Sequence, residues 1–189
     1  MSIAGNDEQC LRGNSFEVNG SNSITSSTGI RTYNWTFDGT LAQSVQLNTA
    51  KVSNIVYSNI GAKRATLIVT DNNGCTDTLQ DTITVKAHPI AKITANDSTQ
   101  CFSSNSFDFG SSLSTPVAGS SLSSTAYNWN FGSGATPGTT SSQDSVRQVV
   151  YSTDSLKIVT LVVGDVNGCK DTTTLQIRVN ENPDPVITL

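Results

Sequence analysis

Histidine is nearly absent from this chain, which has one, His88, in what reads as a linker. Acyl-transfer chemistry needs a nucleophile beside a base, and a lone histidine so placed does not supply one. Charge is sparse as well: 14% of residues are Asp, Glu, Lys or Arg, and the net charge is −4. Nucleic-acid and anionic-membrane binders need a basic face, so neither class is expected. No apolar run approaches the roughly 18 residues that suit a spanning helix. Neither GxxxxGK nor GxGxxG occurs, and "FGSGATPG" follows a strand without opening a helix. Carboxylates for glycoside hydrolysis are present but form no recognisable constellation. The expectation is a non-enzyme. "MSIAGNDEQC" lacks the basic start and apolar core of a signal segment, so Met1 reads as an initiator on an excised fragment.

What the chain has instead is hydroxyls and a repeat. Ser and Thr supply roughly a quarter of it, a polar surface common on extracellular β-proteins. A disordered Ser/Thr tract is the alternative, but alternating apolar segments argue against it. "QCLRGNSFEV" at 9–18 realigns with "QCFSSNSFDF" at 100–109, an offset of 91. "TYNWTFDGT" at 32–40 and "VYSNIGAKRATLIVTDNNGCTDT" at 56–78 realign at an offset of 94 with 126–134 and 150–172. The three-residue difference falls in the loop-like stretch 110–125, where insertions are tolerated. "HPIAKIT" at 88–94 resembles "NPDPVIT" at 182–188. The expected organisation is a module at 1–88, a second at 89–182, and the start of a third at 183–189.

Both modules read as β. "SFEVNG", "RTYNWTF", "SNIVYS", "RATLIVTD" and "DTITVKA" alternate or are short β-branched runs. "SFDFG", "TAYNWNF", "RQVVYS", "KIVTLVVGD" and "TTLQIRV" take the same places in the second module. "DNNG" and "DVNG" are hairpin-turn signals. About seven short strands in 90 residues predict an all-β chain of two antiparallel sandwiches. Trp35 and Trp129 sit mid-strand between polar neighbours and are read as core anchors, with a surface binding role as the alternative.

Each module has one cysteine before its first long strand and one in the late "NGC" turn. Four cysteines allow three pairings. The repeat favours Cys10 with Cys75 and Cys101 with Cys169, each module closing its own bridge. A loop of some 65 residues would be worth roughly 4 kcal/mol in the chain-entropy model. Free buried thiols are an alternative; zinc is disfavoured because no histidine or second cysteine lies nearby. Structural disulfides imply secretion or surface display.

"YNWTFDGT" and "YNWNFGSG" resemble the Tyr-x-Trp-Asp-Phe-Gly-Asp-Gly signature of the polycystic-kidney-disease (PKD) domain. "VYSNIGAKRATLIVTDNNGC" resembles the same family's late strand pair. The resemblance covers nearly the whole chain twice. Its "NGC-x-D-T" ending is similar to disulfide-containing repeats of Bacteroidota surface adhesins, gliding-motility proteins and type IX secretion cargo. It implies an immunoglobulin-like fold and an extracellular, cell-surface role as spacer, adhesion or contact module. Implied partners are other modules of the same chain, with surface polysaccharide or protein as further candidates. No membrane insertion is expected, and the chain should be a monomer.

The signature's acidic positions are here Thr36 and Gly39, and Asn130 and Ser133, and Asp38 stands in place of Gly. Some PKD domains bind calcium, but that cation wants several carboxylates, and Asp71 and Asp165 read as turn residues. No cofactor is therefore expected. Asp-(Ser/Thr) tripeptides place Thr78, Thr82, Ser98, Ser145, Ser155 and Thr172 in a pattern resembling the O-glycosylation acceptors of Bacteroidota exported proteins. The functional expectation is a semi-rigid spacer in a larger adhesin; a binding module and an accessory domain pair of a secreted hydrolase are the alternatives.

Overall fold

A computed structural model describes residues 2–4, 7–25, 29–41 and 47–188. The chain is all-β and divides into two compact units, 1–87 and 88–189. The first unit holds β1 (Ser2–Ala4), β2 (Glu8–Cys10), β3 (Phe16–Asn19), β4 (Ile30–Phe37), β5 (Lys51–Ile55), β6 (Gly61–Asp71) and β7 (Thr76–Lys86). One sheet runs β1-β3-β5 and the facing sheet β2-β7-β6-β4. Inward positions alternate as the sequence pattern requires: Phe16 and Val18 on β3, Ala65 and Leu67 on β6, Ile83 and Val85 on β7. Two-residue periodicity places such side chains on one face of a pleated strand. Together with Trp35, Val52, Ile55 and Tyr57 they form one core.

The second unit holds β8 (Thr94–Ala95), β9 (Thr99–Cys101), β10 (Phe107–Gly110), β11 (Leu122–Asn130), β12 (Ala135–Thr136), β13 (Thr139–Ser141), β14 (Ser145–Tyr151), β15 (Ser155–Asp165) and β16 (Lys170–Asn180). Its sheets run β12-β14-β10-β8 and β13-β11-β15-β16-β9. The core repeats that of the first unit, with Phe107, Phe109, Trp129, Phe131 and Tyr151 supplying most of the aromatic volume. Residues 181–188 carry no strand.

Two pairings depart from the antiparallel plan. β2 runs parallel to β7, with Cys10 opposite Lys86, and β9 runs parallel to β16, with Cys101 opposite Asn180. Each short strand covers the otherwise open edge of a long hairpin strand, which limits edge-to-edge association. Three residues are too few to show an alternation, and the sequence pattern does not signal them.

Candidate functional site

Trp35 and Trp129 are fully buried, and each indole N–H donates to a backbone carbonyl, of Thr49 and Gln143 respectively, at 2.8 Å. A buried indole needs that partner. Beside the indoles sits a device that sequence reading missed. Asn14, in the loop after β2, is buried against the segment that follows β5: its amide donates to the carbonyls of Leu11 (2.6 Å) and Tyr57 (3.0 Å) and accepts from the Tyr57 N–H at 2.7 Å. Asn105 repeats this with Phe102 (2.9 Å) and Tyr151 (3.0 and 2.7 Å). The signal available was the shared "NSF" of the two modules. Over each tyrosine ring lies a buried lysine ammonium: Lys63 is 5.9 Å from the Tyr57 centroid and Lys157 5.2 Å from that of Tyr151. Lys63 donates to the Ile60 carbonyl at 3.0 Å, and Lys157 to the Thr153 hydroxyl at 2.7 Å.

The aspartates of the late turns are hairpin organisers. Asp71 Oδ1 accepts the N–H groups of Asn73 (2.8 Å) and Cys75 (2.9 Å), and Asp165 Oδ1 those of Asn167 (3.0 Å) and Cys169 (2.9 Å). Gly74 and Gly168 hold φ of 84° and 83°, a region glycine enters without strain. Asp165 Oδ2 also accepts from the Ser120 hydroxyl at 3.0 Å.

The cysteines correct the sequence-based pairing. Cys75 and Cys101 are free, exposed thiols. Cys10 therefore does not pair with Cys75, nor Cys101 with Cys169. The reason is the parallel edge strand. Cys75 immediately precedes β7, and Cys10 lies opposite Lys86 at that strand's far end. At about 3.3 Å per residue the two are some 30 Å or more apart, against the roughly 7 Å limit between bridged Cα atoms. β16 separates Cys169 from Cys101 in the same way. Each module thus carries one cysteine at either end of its long axis.

The six Asp-(Ser/Thr) hydroxyl residues, Thr78, Thr82, Ser98, Ser145, Ser155 and Thr172, are all exposed. Asp77, Asp81 and Asp97 accept the N–H of the residue that follows, at 2.7–2.8 Å. Asp171 accepts the Ala91 N–H at 2.9 Å instead, tying the entry segment of the second module to β16. An open groove of about 470 Å³ in the second unit is lined by Leu122, Ser124, Tyr127, Gln143 and Asp144. In the first unit a groove of about 310 Å³ lies elsewhere, between Asn22–Ile24 and Asp77–Leu79.

These features define a tandem pair of immunoglobulin-type sandwiches held by structural side chains. A profile of the PKD domain matches residues 1–87. No curated protein matches the chain. Among solved structures it is similar to the fibronectin(III)-like modules of Clostridium thermocellum CbhA (12% identity, 95% of this chain and 94% of that one, TM-score 0.42). It is also similar to three N-terminal domains of the bacteriophage RB49 highly immunogenic outer capsid protein (15%, 88% and 55%, TM-score 0.34) and to the Yersinia pseudotuberculosis adhesin InvE (14%, 92% and 57%, TM-score 0.28).

Proposed function

We propose that this chain is a spacer segment of an extracellular, cell-surface adhesin, built from two PKD-like modules of a longer array. The observation that carries this reading is what the two modules share. The Trp-to-carbonyl bond, the Asn clamp, the lysine over tyrosine and the Asp-centred turn all recur, and each serves the module's own stability. Among the described residues, the groove of each module has its own lining. Repetition of these scaffold side chains fits a part whose job is length. Cysteine in disulfide form supports an oxidising compartment, and the hydroxyl-rich exposed strands fit glycan decoration in a Bacteroidota-type exported protein.

Binding of the oxidised chain to a panel of glycans and surface proteins, with and without calcium, tests it. No saturable binding and no calcium-dependent shift in melting temperature are expected. Saturable binding weakened by Tyr127→Ala or Asp144→Ala in the larger groove would instead make this a recognition module.

A further inference from the structure

In the first unit β7 is paired along nearly its whole length on one side and only at its end on the other. β6 runs beside it from Thr76 to Val85 in unbroken register. On the far side β2 reaches only Thr84 to Lys86. Among the described residues, 76–82 therefore form an open sheet edge, and all of them are exposed. Backbone groups along a strand point alternately to its two sides. The Thr84 N–H donates to the Asp7 carbonyl at 2.8 Å, away from β6. With the register unbroken, the N–H groups of Thr78, Gln80 and Thr82 point the same way, out of the sheet.

Such an edge is a template for an added strand. The run "TLQDTITV" at 78–85 has the β-branched composition that pairs readily, and Leu79, 49% exposed, adds an apolar side chain to it. Two aspartates occupy the donors. Asp77 Oδ1 accepts the Thr78 N–H and Asp81 Oδ1 accepts the Thr82 N–H, each at 2.8 Å. The edge N–H groups on either side of Gln80 are thus already bonded, where an incoming carbonyl would need them. The second unit treats its own corresponding strand differently. Asp171, the counterpart of Asp77 at the offset of 94, accepts the Ala91 N–H, and Leu175 stands at the position equivalent to Asp81.

We propose that Asp77 and Asp81 close the β7 edge of the first unit to strand addition by holding the N–H groups of Thr78 and Thr82. The partner they keep out is a second copy of the same edge, running antiparallel about Gln80. Thr78 of one copy would then face Thr82 of the other, as a pair that exchanges both backbone bonds. The donors held by the carboxylates are the ones that pairing needs. The inference stands on hydrogen bonds within this unit, goes beyond the spacer role, and survives whatever the binding panel finds.

The test follows the mass of the full chain by analytical sedimentation over a range of concentrations, in reducing buffer so that thiol pairing plays no part. The unaltered chain should stay monomeric. Asp77→Ala with Asp81→Ala should shift it toward dimer as concentration rises, and Gln80→Pro added to that pair should return it to monomer. Proline there costs no bond to β6, because the Gln80 N–H faces the edge. Asp77→Asn with Asp81→Asn keeps both acceptor oxygens and should stay monomeric. A folded alanine pair that does not associate overturns the proposal. So does association of the unaltered chain, association that survives Gln80→Pro, or equal association of the asparagine pair. Hydrogen exchange of the unaltered chain gives a second reading that needs no variant to fold. The Thr78 and Thr82 amides should exchange about tenfold or more slowly than that of Gln80, and equal rates for the three would overturn the proposal as well.

Discussion

Tyr57 and Tyr151 occupy equivalent places, both about 1% exposed, and differ by one hydrogen bond. The Tyr151 hydroxyl donates to the Phe131 carbonyl at 2.9 Å; among the described residues that of Tyr57 finds no partner. An unpaired buried hydroxyl costs desolvation that a paired one recovers. Tyr151→Phe should therefore destabilise by about 0.5–1.5 kcal/mol, the net worth of one hydrogen bond, whereas Tyr57→Phe should be neutral or stabilising. Urea midpoints at unchanged slope read the difference. Burial pushes both phenols up from 10.0 to about 12, with Asp38 adding to the effect at Tyr57. A phenol harder to ionise in the fold than in the unfolded chain contributes stability that is complete below pH 10 and lost as pH climbs toward 12. Melting temperature should fall through that window, and less so in the Tyr57→Phe, Tyr151→Phe double variant. Of this residue-scale detail the buried tryptophans were legible, because an aromatic flanked by polar residues on a strand has one face to bury. The lysine–tyrosine contact was not, since no periodicity marks a lysine whose stem lies in the core and whose ammonium finds a carbonyl.

At the scale of elements, the long strands follow from alternation and the hairpins from "DNNG" and "DVNG". The Asn14 and Asn105 clamps lie outside those rules, because an asparagine in a polar loop reads as turn chemistry. Each one fastens the loop after an edge strand to a tyrosine more than 40 residues on. Asn105→Ala would strand the Tyr151 N–H and carbonyl in the interior, a penalty of about 1–3 kcal/mol for each unpaired group. The expected result is a loss of several kcal/mol, with faster hydrogen exchange of the Tyr151 amide; a loss below 0.5 kcal/mol would show the clamp to be dispensable. The parallel strands β2 and β9 were not legible either, and that omission governed the disulfide reading. A loop-entropy argument counts the residues enclosed, whereas bridging depends on distance, and β7 and β16 hold the paired candidates at opposite ends. Repeat symmetry marks the four cysteines as two equivalent pairs, but symmetry says nothing of the distance between them.

At the scale of the whole molecule, the chain is two compact units, each with a core of its own. Separate cores predict separate cooperative unfolding. The most direct test is to pull the single chain from its two ends with every cysteine reduced. The account predicts two discrete steps, each the length of one module. A single step spanning both modules, or extension without discrete steps, would contradict it.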